Sequence, residues 1–181
     1  PTDLVDRLLA LAANFDIHSN VYSGDDWFVE AENPRLLEFH KASQFFYQQV
    51  DYSQTPFTSV SKVFFVGDHD QLEILKSQIE ETLEDQLSLT FSLDDTLEVM
   101  NKGVSKGKAL AMMLDHRNEG PGNAMAFGDG MNDKEMLELV HHPVVMENAH
   151  PSLKAALSHF MRAESNQENG VAKYLNRVFP G

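Results

Sequence analysis

A chain of 181 residues with 42% hydrophobic content can bury one sizeable core or two small ones. Its 14 Lys+Arg against 28 Asp+Glu give a net charge of −14. That balance argues against nucleic acid or an anionic membrane as a partner, and obliges any phosphate ligand to find local positive charge. Without cysteine there is no disulfide, no thiol nucleophile and no Cys-based zinc site, and no run of 18 apolar residues suggests a membrane span.

In chain order, Leu4, Leu8 and Leu11 mark a first helix. Residues 17–30 alternate around Ser23-Gly24-Asp25, which signals a hairpin. Asn33-Pro34 starts a helix expected to run through Val50, since proline is favoured at the first helical position. Gln54-Thr55-Pro56 reads as a loop. Two strands, 60–66 and 87–93, flank a helix whose apolar face is Leu72, Leu75, Ile79 and Leu83. Asp70 with Glu73 has the spacing of a capping box for it. Val63 to Asp70 superficially presents an apolar strand followed by Asp-x-Asp, but Gly67 intervenes and no Gly-Thr follows, so capping is the preferred reading.

From about Leu97 strands and helices alternate, which implies parallel pairing and an α/β core. Its strands are expected at 97–100, 122–127, 143–145 and 160–163, so the boundary is drawn between 1–96 and 97–181. Ser105 is a natural N-cap, placing Lys106 at a helix start, where the helix dipole opposes a cation. An anion or a carboxylate cluster opposite would resolve that misfit. The same segment, Gly103 to Lys108, is too short between glycines for a P-loop and has Ala109 where a metal-binding hydroxyl is needed.

Phe127-Gly128-Asp129-Gly130-Met131-Asn132-Asp133 directly follows the apolar run 124–126. Glycines let backbone approach a bound group closely. Asp129 at a strand's carboxyl end suits a hard divalent cation, and Asp133 can support the same metal from a helix N-terminus. The Asn132 amide can donate to a phosphate oxygen. Two acids at a turn can equally be capping residues, and spacing alone leaves both readings open. His141-His142, after the helix bearing Met136, Leu137 and Val140, fits cations at a helix C-terminus better than a metal site.

The ordered segments Gly103-Val104-Ser105-Lys106-Gly107, Phe127 to Asp133, Met146-Glu147-Asn148-Ala149 and Glu168-Asn169-Gly170-Val171-Ala172 resemble the motifs of the Cof-type phosphatases of the haloacid dehalogenase superfamily. Asn20-Val21-Tyr22, Asp26-Trp27-Phe28 and Ser61 to Phe65 look like the cap of the bacterial sugar-phosphate and pyridoxal-phosphate phosphatases. The resemblance implies a partial Rossmann-like core with a parallel sheet at 97–181 and an α+β cap at 1–96. It implies magnesium as cofactor, with Asp129 a metal ligand and Asp133 a ligand or an orienter of metal-bound water. Lys106 would offset phosphate charge and hold the nucleophile's carboxylate. Asn132 would contact phosphate, Asn148 would shape the site loop, and Tyr22, Asp26 and Trp27 would read the leaving group unless Tyr22 and Trp27 belong to the core. The implied ligand is a small phosphorylated metabolite, and the implied compartment is the cytoplasm.

This chain departs from the family pattern in two ways. Glu147 stands where glycine is usual, and is expected to tighten or crowd the loop. The family's nucleophile, the first aspartate of Asp-x-Asp-Gly-Thr/Val, is not found before the cap. The chain therefore reads as a C-terminal portion whose nucleophile lies upstream, with self-association through an incomplete core sheet as a corollary. A non-catalytic module that binds a phosphate ligand or a partner is the competing expectation.

Overall fold

The computed structural model describes residues 2–83 and 86–180, which form two compact units divided between Lys102 and Gly103. The first unit is built on a six-stranded sheet in the order β3-β2-β1-β4-β6-β5. Its strands are β1 (Ile17–Ser23), β2 (Asp26–Val29), β3 (Gln48–Gln49), β4 (Val60–Gly67), β5 (Leu87–Leu93) and β6 (Thr96–Asn101). Helices α1 (Thr2–Ala12) and α3 (His69–Leu83) supply Leu4, Val5, Leu8, Leu72, Leu75, Ile79 and Leu83 to one core. They meet Val21, Val63, Phe65, Leu97 and Val99 there. The 3.6-residue period of the helices and the two-residue period of the strands thus select one face of each element.

The opposite sheet face carries a second cluster, Trp27, Val29, Phe64 and Val66, covered by Tyr22, Leu36, Phe45 and Tyr47. Here the helix expected through Val50 stops at His40, as α2 (Pro34–His40). Phe45 and Tyr47 are half-buried while Phe46 between them is exposed. That alternation is a strand signature, and it ends in β3, which pairs with β2 through Phe28 and Gln48. Packing two aromatic rings onto Trp27 overrides the helical start signal.

Two further expectations are corrected. The cap of α3 is Asp68, not Asp70: its carboxylate accepts the N–H groups of Asp70 (3.2 Å) and Gln71 (3.3 Å). The strand expected to open the second unit at Leu97 instead pairs antiparallel with both β4 and β5. A two-residue turn at Asp94-Asp95 makes β5 and β6 a hairpin, so the division falls after Lys102 and not after residue 96.

The second unit holds a parallel sheet in the order β7-β8-β9: β7 (Met125–Gly128), β8 (His142–Met146) and β9 (Met161–Ala163). Helices α4 (Lys106–His116), α5 (Lys134–Leu139), α6 (Pro151–Ala156) and α7 (Gly170–Val178) complete it. Leu137, Val140, Val145, Leu153 and Leu157 form a core on one sheet face, and Val144, Met146, Ala163 and Tyr174 one on the other. A parallel sheet buried on both faces is the arrangement that strand–helix alternation predicts. Among the described residues β7 and β9 are the sheet's edges.

Candidate active site

The carboxyl end of β7 carries the acidic loop. After Gly128 the chain turns through Asp129 and Gly130 into a single 3-10 turn, Met131–Asp133, before α5 begins. Asp133 therefore sits at a joint between a tight turn and a short helix, not in the first turn of a long one. Its carboxylate folds back on its own loop: one oxygen accepts the N–H groups of Asp129 (2.9 Å) and Gly130 (3.0 Å). The other accepts the Lys106 ammonium. Gly128 is required for this closure, since a Cβ there would lie 2.5 Å from the Asp133 Cβ.

Asp133 is 4% exposed. Burying a carboxylate is costly unless its lone pairs are met, and here two backbone donors and a cation meet them. Lys106 is half exposed in its side chain. It starts α4, where Ser105 accepts the Lys108 N–H at 3.1 Å as the expected N-cap. The unfavourable placement of a lysine against the helix N-terminus is thus offset by the buried carboxylate opposite it.

Asp129 differs from Asp133 in every respect. It is exposed, and one carboxylate oxygen, Oδ2, accepts the Asn148 side-chain N–H at 2.8 Å. The other makes no hydrogen bond among the described residues. The Asn132 side-chain amide nearby is likewise without a partner among them. Asn148, from the loop after β8, also accepts the N–H of Asn166 at 2.9 Å, and the His150 N–H donates to the Asp129 carbonyl at 2.8 Å. Hydrogen bonds thus join Lys106, Asp133, Asp129 and Asn148 in one cluster of the second unit, with Asn132 next to Asp133 in the 3-10 turn. Asn166 leaves no residue-type signature in the sequence, because it takes part through its backbone N–H. Glu147 does not crowd this loop: it is exposed and 3.5 Å from Lys154.

The first unit's candidates are placed differently. Trp27 has no exposed surface, and its indole N–H donates to Asn20 at 3.1 Å. It is a core residue in this structure. Tyr22 is half-buried, edge-on to Trp27, Phe45 and Phe64. Burial first, and then the charge of Glu98, raise its pKa, so the phenol stays protonated. Asp26 is exposed and accepts from Gln48 at 2.9 Å.

A magnesium ion takes six oxygens, commonly one or two carboxylates with water and substrate phosphate completing the shell. The available oxygen of Asp129 fits as one such ligand. Both Asp133 oxygens are engaged within the protein. Among the described residues no group of three or more His, Asp or Glu gathers to hold a metal, so the remaining ligands would come from water, phosphate or other carboxylates.

Over residues 1–175 the chain matches the family model of the haloacid dehalogenase-like hydrolases. It is 40% identical over 172 residues to the HMP-PP phosphatase of Citrobacter koseri, covering 95% of this chain and 63% of that protein. A haloacid dehalogenase-like hydrolase from Bacteroides thetaiotaomicron matches with a TM-score of 0.81 at 24% identity, over 99% of this chain and 67% of that one. A sugar phosphatase of HAD subclass IIB gives a TM-score of 0.82 at 18% identity, over 98% and 66%. The chain belongs to the haloacid dehalogenase-like hydrolases, and its motifs place it with their Cof-type members. It spans slightly under two thirds of the length of the HMP-PP phosphatases it matches.

Proposed function

We propose that this chain carries the metal- and phosphate-handling part of a magnesium-dependent phosphomonoester hydrolase of small phosphorylated metabolites. The observation that carries the reading is the contrast between the two aspartates: Asp133 saturated and buried, Asp129 exposed with an oxygen to spare. In this reading Asp129 is a metal ligand, Asp133 fixes the loop and aims Lys106, and Lys106 offsets charge on the phosphate. Asn132 donates to a phosphate oxygen. Magnesium, when bound, neutralises charge developing on the transferring phosphoryl group. The attacking carboxylate, which would form an aspartyl-phosphate, is proposed to lie upstream of these 181 residues.

The first unit would select the leaving group, with Tyr22 as its retained candidate. Sugar phosphates, pyridoxal phosphate and the HMP-PP named for the relatives are the substrates to test. No helix among the described residues is long and apolar enough to cross a membrane; the cytoplasmic compartment is our proposal from the family resemblance alone. A non-catalytic phosphate-binding module is the alternative, favoured by the lack of an Asp-x-Asp-Gly-Thr/Val segment in this sequence.

The test is hydrolysis of that panel by the full-length protein and by the 181 residues alone, with magnesium or with EDTA. The account expects magnesium-dependent turnover by the full-length protein only. Magnesium-dependent turnover by the 181 residues would place the nucleophile within them and return Asp68 and Asp70 to consideration. No turnover by either would favour the binding module.

A further inference from the structure

The acidic loop is held from one side through Asn148 and the main chain of Asn166, a residue outside the motifs. Asn148 lies across the gap between Asp129 and the loop that follows β9. Its Oδ1 accepts the Asn166 backbone N–H at 2.9 Å. Because that backbone group can only donate, the side-chain oxygen must face it, and the amide nitrogen is what remains for Asp129. The nitrogen donates to Asp129 Oδ2 at 2.8 Å. The carboxylate is thereby pinned by one oxygen, with the other turned free.

The backbone of the bridging loop is itself anchored at both ends. The Glu147 N–H donates to the Ala163 carbonyl at 2.9 Å, and the His150 N–H to the Asp129 carbonyl at 2.8 Å. The loop presenting Asn166 is equally constrained. The Gly170 N–H donates to the Ser165 carbonyl at 3.0 Å, and Asn169 turns the chain at φ 59°. A Cβ on Gly170 would lie 1.9 Å from the Glu164 carbonyl oxygen, so only glycine permits the loop to close so tightly.

We infer that Asn148 is a positioning residue for the Asp129 carboxylate, and that the 164–170 loop sets its aim through the Asn166 N–H. This rests on the reading of Asp129 as a cation ligand. Groups that hydrogen-bond a metal-binding carboxylate orient it, and their loss typically lowers metal affinity about 10–100-fold. A segment at the far end of the second unit's sequence thus becomes part of the cation site without supplying a ligand.

The test is a manganese titration of the chain, read by paramagnetic broadening of the Asp129 and Gly130 amide resonances. Four variants are compared with the parent: Asn148→Ala, Asn166→Pro, Asp129→Asn and Leu157→Ala. Asn166→Pro removes the N–H that Asn148 accepts, together with a side-chain amide that makes no hydrogen bond among the described residues, and the preceding Ser165 (φ −62°, ψ 159°) already has the backbone that a following proline favours. Leu157→Ala opens a cavity in the core cluster that also holds Ala149 while leaving every hydrogen-bonding group of Asn148 in place, and serves as the control for loosening alone.

The expected result is a 10–100-fold weaker manganese response in Asn148→Ala, a loss in the same direction in Asn166→Pro, and an unchanged affinity in Leu157→Ala. Should Asn148→Ala not fold, Asn166→Pro carries the test with Asn148 in place. A normal affinity in the folded Asn148 or Asn166 variant, with Asp129→Asn impaired, overturns the positioning role and leaves the Asp129 reading standing. An equal loss in Leu157→Ala overturns it too. If Asp129→Asn responds like the parent, Asp129 is not the cation ligand and both readings fall.

Discussion

Replacing Asp133 separates two jobs that its carboxylate does at once. One oxygen closes the loop on the Asp129 and Gly130 N–H groups; the other receives Lys106. In Asp133→Asn the amide oxygen can keep both N–H bonds, and only the Lys106 contact is lost. Because Lys106 is half exposed, solvent screens that contact and the loss should be about 1 kcal/mol or less. In Asp133→Ala both N–H groups lose their acceptor as well. An unmet donor costs about 1–3 kcal/mol, and these two lie in a partly exposed loop, so the combined loss should be about 3 kcal/mol. Opening free energies from native-state amide exchange at Ala126, Phe127, Val144 and Val145 measure both. The account expects the alanine variant to lose at least about twice what the asparagine variant loses. Equal losses would show that the lysine contact and not the backbone closure holds the loop, and the assignment of Asp133 as its organiser would fail.

Two other consequences are open to direct measurement. Tyr52 donates to the carbonyls of Ser19 (2.9 Å) and Phe28 (3.2 Å), and burial raises its pKa, as it does for Tyr22. The folded state therefore holds these protons more tightly than the unfolded chain. Their contribution is fully present below pH 10 and is lost as pH rises past it; an alkaline denaturation series should show this fall, and Tyr52→Phe should flatten it. β7, an edge among the described residues, presents an apolar strand with one side unpaired. We expect the isolated 181 residues to self-associate through it or to exchange its amides faster than those of α3; a proven monomer with equal protection in both would refute this.

Much of this architecture could be read from the sequence because local and tertiary preferences agree. The helices α1 and α3 have an apolar period that tertiary packing simply uses. Failures occur where the two disagree. Asn33-Pro34 announces a helix correctly, but its length is decided by where Phe45 and Tyr47 pack. Leu97 reads as the first strand of an α/β repeat because a helix follows it, while the two-residue turn before it commits it to the neighbouring sheet. At the site, residue types and spacing point to Lys106, Asp129, Asn132 and Asp133. They do not distinguish the roles of the two acids, because that depends on which carboxylate is buried and which backbone groups it meets. Nor do they reveal Asn166, whose part is played by its main chain.

The central claim is that Asp129 presents a carboxylate to magnesium while Asp133 holds the loop in place. Magnesium dependence of phosphate-ester hydrolysis by the full-length Asp129→Asn protein tests it most directly. The account predicts a rate lower by about 100-fold or more, as when a group that stabilises developing charge is removed, with partial recovery at excess magnesium. An unchanged rate and an unchanged magnesium requirement would contradict it.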